Sequence, residues 1–113
     1  MKIVTEKISS EDLKKMAERM FGNLVKAVVD VEKEIMAVDA ELHADEEALL
    51  LEQGSEQKNL WGINLYPELA GDDFIEFDSM INLRPTQGNL TRGVENREIQ
   101  DKIRQIVNKL VTK

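Results

Sequence analysis

Cysteine is absent from this sequence, which excludes a disulfide, a thiolate zinc site, an iron–sulfur cluster and a cysteine nucleophile. Aromatic side chains are scarce, with three Phe, one Trp and one Tyr. None lies in the basic C-terminal segment, so that segment has nothing on which nucleic-acid bases could stack. Two prolines and six glycines are too few for a collagen-like or Pro/Gly-rich disordered chain. Apolar runs such as Leu49–Leu51 fall far short of the roughly 20 residues a bilayer-spanning helix requires. The first residues, Met1 to Lys7, lack the apolar stretch of a signal peptide. These absences lead to the expectation of a soluble, cytoplasmic, prokaryote-like protein without a membrane partner. No repeat, low-complexity tract or linker interrupts it.

What is present describes one globular domain, residues 1–113. Apolar residues make up 42% of the chain and charged residues 33%, a balance that supports a single core. The net charge of −7 argues against broad electrostatic attraction to nucleic acid or anionic lipid. The charge is unevenly placed. Residues 1–83 hold 19 acidic and 8 basic side chains, whereas residues 84–113 hold 3 and 7.

Periodicity supplies the elements. Leu13, Met16, Ala17, Met20 and Phe21 recur at steps of three and four after Ser9 or Ser10 and before Gly22, predicting a helix over about residues 10–21. Ile99, Ile103, Ile106, Val107, Leu110 and Val111 predict a second after Asn96. Between them Val25, Ala27, Val29 and Val31 alternate with Lys26, Val28, Asp30 and Glu32, the period of a strand. A hairpin centred on Lys33–Glu34 pairs Val31 with Met36, Val29 with Val38, Ala27 with Ala40 and Val25 with Leu42, which makes one face wholly apolar. Lys-Glu suits a tight turn poorly, so a four-residue loop with the same register is the alternative tip. Residues 44–53 read as a short helix with acids in its first turn. Residues 59–66 and 74–84 read as strands of a second hairpin, and residues 2–7 as an edge strand. The expected fold is α+β in two layers. An antiparallel sheet of four to five strands carries the N- and C-terminal helices on one face, with a short helix between the two hairpins.

In that arrangement Asp30, Asp39, Glu41, His43, Asn64, Tyr66, Glu76, Asp78, Asn82 and Arg84 gather on the solvated face, where simple solubility accounts for most of them. Three sharper readings compete. Asp39, Glu41 and His43 alternate along one strand and form a carboxylate–imidazole set suited to a divalent ion. A lone histidine makes that signal weak, and no metal is assigned. For acid–base catalysis, His43 oriented by Glu41 or Asp45 would work beside Asp78 or Glu76. Ser79 lies on the apolar parity of its strand, with no nucleophile elbow around it. The third reading is a small-anion site following the last strand. Arg84 and Arg92 supply fork-shaped donors there, Gln87 and Asn89 neutral ones, and Gly88 permits close approach, with Tyr66 and Asn64 nearby. No Walker or dinucleotide glycine pattern occurs, and no cofactor is expected.

The strings Val25 to Asp30, Glu34 to Ala37, Glu41 to Asp45, Leu60 to Pro67 and Ile81 to Asn89 resemble a small single-domain prokaryotic family catalogued only as a domain of unknown function. That resemblance runs nearly end to end and implies no catalytic residue, cofactor or partner. The sequence therefore reads as a small cytoplasmic binding or interaction module, with a homo-oligomer or a small anionic ligand as its partner. The alternative is a small-anion or nucleotide-handling hydrolase using the polar sheet face and the Arg84 to Arg92 loop. Whether the protein is an enzyme is open at this point.

Overall fold

The computed structural model describes residues 1–113. Its strands are β1 (Lys2–Val4), β2 (Ile8–Ser9), β3 (Val25–Asp30), β4 (Ile35–Val38), β5 (Leu60–Leu65), β6 (Ile75–Glu76) and β7 (Val111–Thr112). Its helices are α1 (Ser10–Arg19), α2 (His43–Glu52) and α3 (Arg97–Leu110). Five strands form one antiparallel sheet in the order β1-β4-β3-β5-β6, and β2 and β7 form a separate parallel pair. The α+β class expected from the sequence is the one observed. No helix is long and apolar enough to cross a membrane.

Both terminal helices form for the reasons their sequences give. Ser9 accepts from the Asp12 amide at 3.1 Å and Asn96 from the Ile99 amide at 3.1 Å, each satisfying an otherwise unpaired donor of the first turn. Gly22, at φ 92°, donates to the Ala17 carbonyl and ends α1, a left-handed position that glycine occupies without strain. Leu13, Met16 and Ala17 of α1 and Ile103, Ile106, Val107 and Leu110 of α3 are buried against Val25, Ala27, Val29, Met36, Val38, Ile63 and Leu65 of the sheet. Val111 leaves the expected helical stripe. It pairs in parallel with Ile8 instead, tying the two ends of the chain together.

The first hairpin keeps its face sorting but slides by two residues. Ala27 lies opposite Val38 and Val29 opposite Met36, so Val31–Met36, Val29–Val38, Ala27–Ala40 and Val25–Leu42 are not pairs. The cause is Asp30. Its Oδ1 accepts from the amides of Glu32 and Lys33 at 2.9 and 3.0 Å, which closes a four-residue loop, with Glu34 left-handed at φ 58°. A slip of two preserves side-chain parity, which is why hydrophobic patterning alone did not distinguish the two registers. Asp39, at φ 69°, ends β4 before Ala40 and Leu42 can join the ladder.

The second face of the sheet is covered where solvent was expected. Leu50 of α2 is buried with Val28, Ala37 and Leu60, flanked by half-buried Ile3, Ile35, Leu49 and Ile81. α2 therefore lies across the sheet from α1 and α3, adding a layer to the two expected. Asp30, His43, Asn64, Asn82 and Arg84, assigned to a solvated face from sequence, are all buried.

The expected strand over 74–84 contracts to β6. Beyond Glu76 the chain leaves β5, and two side chains take over the ladder. Asn82 accepts from the Gly62 amide at 2.8 Å and donates to the Gly62 carbonyl at 3.0 Å. The Arg84 guanidinium donates to the Leu60 carbonyl. Leu60, Gly62 and Asn64 thus find partners along the outer edge of β5 from Arg84, Asn82 and β6 in turn. Gly62 is required because a Cβ there would sit 2.5 Å from Ser79 Cβ.

Candidate functional site

The segment after β6 is fixed by its own amides. Arg84 and Asn89 exchange backbone hydrogen bonds of 2.9 and 3.1 Å around a tight loop ended by Gly88 at φ 78°. The Asn89 side chain donates to the carbonyls of Asn82, Thr91 and Gly93 and accepts from the Glu95 amide. An interior lattice of this kind orders a loop that has little apolar content of its own.

Arg84 belongs to that lattice. It is 7% exposed, its Nε donates to the Ile81 carbonyl at 3.0 Å, its Nη2 lies 3.5 Å from Glu47, and its Cζ lies over the Trp61 ring, 4.7 Å from the centroid. Burial pulls its pKa below the ordinary value, and the Glu47 charge opposes that pull. Nη1 of Arg84 and Nε1 of Trp61 are buried without an acceptor.

Trp61 also forms the wall of a cavity of about 300 Å³, closed by Gln87, Gly88 and Asn89 of the loop and by Glu95, Asn96 and Ile99 at the start of α3. Three of the residues expected to hold an anion, Gln87, Gly88 and Asn89, therefore meet here. Glu95 accepts from the Leu90 amide, and Asn96 turns its oxygen to Ile99, leaving its NH₂ as a donor.

The remaining expected ligands lie elsewhere. Tyr66 Oη and Asn64 Nδ2 both donate to Glu76 Oε1 at 2.9 Å, a closed cluster at the β5–β6 edge. Burial, and then the hydrogen bond to Glu76, raise the Tyr66 pKa. Arg92 is exposed and pairs with Asp78 at 2.7 Å.

Arg92 helps to line a second groove, of about 170 Å³, with Lys26, Leu42, His43, Ala44, Ser79, Met80 and Ile81. His43 and Arg84 do not share a pocket. His43 is the first residue of α2 rather than a strand residue. Its Nε2 lies 2.7 Å from the Ile63 carbonyl, so that nitrogen carries the proton and donates. Desolvation lowers the His43 pKa, with the Ile63 hydrogen bond acting in the opposite direction.

None of the proposed catalytic and metal partners of His43 forms a hydrogen bond with it, although Asp78 is near enough to act on it electrostatically. Glu41 is exposed, Asp39 pairs with Arg19 at 3.3 Å, and Asp78 is held by Arg92. No group of three His, Asp or Glu side chains is arranged to hold a metal ion.

One titratable residue of this region was missed. Glu46 is fully buried and neither carboxyl oxygen has a hydrogen-bond partner. Desolvation raises its pKa to about 10; the nearby Ala40 amide opposes the rise without forming a proper hydrogen bond. Glu46 is therefore a neutral acid at pH 7. The signal was available: His43, Glu46 and Leu50 follow at three and four residues, one helical face, whereas Asp45, Glu46 and Glu47 together read as first-turn acids favoured by the helix dipole.

Among known proteins, a family model described as "Protein of unknown function (DUF5674)" matches residues 2–110. No curated protein and no solved structure matches the chain.

Proposed function

Since the chain belongs to the family of proteins of unknown function DUF5674, whose description assigns no chemistry, we propose a function from the geometry. The protein is a small binding module that takes a carboxylate-bearing ligand in the cavity between Trp61, the Gln87–Asn89 loop and the start of α3. The observation that carries this reading is Trp61, which lines the cavity and whose Nε1 is a buried donor without an acceptor, with a second such donor, Nη1, on the Arg84 guanidinium that lies over its ring. A buried donor without an acceptor costs about 1–3 kcal/mol; both donors are sealed from solvent in the fold, and a ligand oxygen admitted to them by a small side-chain movement recovers that cost. The Asn96 amide and the positive end of the α3 dipole favour negative charge at the same place. Glu95 in the wall disfavours a polyphosphate, so a single carboxylate fits this electrostatic setting better than a nucleotide does.

Trp61 is the only tryptophan, and its fluorescence reports the site directly. Titration with acetate and larger monocarboxylates is expected to change Trp61 emission and shift the amide resonances of Gly88 and Asn89. Gln87→Glu, a change at an exposed loop position, is expected to weaken the response by placing a like charge in the wall. Silence of all three probes toward carboxylates, phosphate and nucleotides would overturn the reading, and a response to nucleotides alone would favour the hydrolase alternative.

A further inference from the structure

The groove at the start of α2 is separate from the Trp61 cavity and carries its own chemistry. Its floor and walls gather three nitrogen groups, Lys26 from β3, His43 and Arg92, beside the apolar surfaces of Leu42, Ala44, Met80 and Ile81. Lys26 has no carboxylate within ion-pair distance; its ammonium rests 5.0 Å above the Phe21 ring. Arg92 uses only Nε on Asp78, so both terminal nitrogens of its fork are free.

α2 begins in this groove without a side-chain cap, and its first two amides, those of His43 and Ala44, have no acceptor, whereas that of Asp45 donates to the Leu42 carbonyl at 3.2 Å. The second observation is His43 itself. It is more than nine-tenths buried and lines the groove. With Nε2 committed to Ile63, Nδ1 makes no hydrogen bond, yet it is not among the atoms sealed from solvent. It is an acceptor left open at the groove wall. Leu42 and Met80, 55% and 62% exposed, extend the apolar surface outward.

We propose that this groove binds a phosphate monoester, with the phosphoryl group between Lys26, Arg92 and the His43 and Ala44 amides of α2 and the organic group against Leu42 and Met80. Phosphate is favoured over carboxylate by the open Nδ1. A phosphate monoester, with a second pKa near 6, retains a P–OH for part of the neutral range and donates it to a neutral imidazole. A carboxylate, ionised at neutral pH, has no proton to give. As the pH falls from the alkaline side, the dianionic phosphate and neutral His43 come to share a single proton, so binding strengthens. The charged groups around His43 are Lys26 from β3, Asp78 and Arg92 from the segment after β6, and Asp45, Glu46 and Glu47 on α2. Of these, Glu46 is protonated and Glu47 faces Arg84, so Asp45 and Asp78, the latter already paired with Arg92, are the carboxylates that oppose the anion.

The test uses the full chain, observed by NMR at the His43 ring and the Ala44 amide, with phenyl phosphate as probe and phenylacetate as control. Phenyl phosphate is expected to shift both signals, to raise the midpoint of His43 titration, and to leave the Trp61 indole resonance in place. Lys26→Met and Arg92→Gln, each verified as folded by its amide spectrum, are expected to weaken binding by roughly tenfold. Unmoved Ala44 and His43 signals would overturn the proposal. So would an equal response to phenylacetate, or binding indifferent to both charge changes. Because Trp61 reports the first site, failure here is distinguishable from failure there.

Discussion

Gly62 has no room for a side chain, because the nearest obstacle to a Cβ is the Cβ of Ser79 at 2.5 Å. Gly62→Ala is expected to cost roughly 1–3 kcal/mol, the usual range for overpacking, measured by urea denaturation. Ser79→Gly is expected to recover most of that loss in the double variant, giving a coupling energy that a simple propensity effect would not produce. Asn82 offers a second test, of hydrogen-bond polarity. Its NH₂ donates to the carbonyls of Gly62 and Arg92 while its oxygen accepts from Gly62. Asn82→Asp keeps the shape and removes both donations. It is expected to destabilise by more than a typical single hydrogen bond, about 1 kcal/mol, with faster hydrogen exchange at Gly62. At this scale the sequence was least legible. Asn82, Arg84 and Asn89 are chemically rich, but their donors, Arg84 Nη1 excepted, are spent mainly on backbone carbonyls. Whether an arginine faces a ligand or a carbonyl depends on where the strand ends, which alternation of apolar residues does not encode.

α2 joins two titratable groups whose pH responses oppose one another. Glu46 is held protonated in the fold, with its pKa raised from 4.5 to about 10. The unfolded chain loses that proton first, so stability declines as pH rises from about 4.5 toward 10. His43 is held neutral, its pKa lowered from 6.5. Here the unfolded chain gains the proton first, so stability is lost as pH falls below 6.5. The two slopes oppose just below 6.5, and above 6.5 that of Glu46 stands alone. Glu46→Gln is expected to raise stability on the order of 3 kcal/mol at pH 7 and to change it little at pH 4, read from denaturation curves at both values. Equal effects at the two pH values would mean that Glu46 is ionised in the folded protein. The existence of α2 was legible from its acids and Gly54. Its side of the sheet was not, because a ten-residue helix with one fully buried aliphatic side chain, Leu50, leaves only a faint apolar stripe. The terminal helices, with strong stripes and side-chain caps, fall within two residues of their expected bounds at α1 and place their apolar faces as expected.

Across the whole molecule, the acidic first three-quarters and the basic remainder meet at the tip of the first hairpin. Glu34 is bridged by Lys102 and Lys109 of α3 at 3.1 and 3.0 Å, and these bonds hold its pKa below the ordinary value. The asymmetry in the sequence thus joins a loop on one element to a helix distant along the chain. The pairing of Ile8 with Val111 does the same for the two ends. Val111→Asp is expected to lower the melting temperature and to speed hydrogen exchange at both Ile8 and Thr112, a joint response that isolated fraying of either end would not give. The outer edge of β5 has the widest consequence. A row of free strand amides and carbonyls recruits strands from other molecules, and here that row is occupied by the Asn82 carboxamide and the Arg84 guanidinium. Loss of either side chain would expose a short apolar strand, Leu60–Leu65, as a template. The resulting proteins are expected to remain compact when dilute and to aggregate as concentration rises, so Asn82 and Arg84 act as guards against self-assembly as well as parts of the fold.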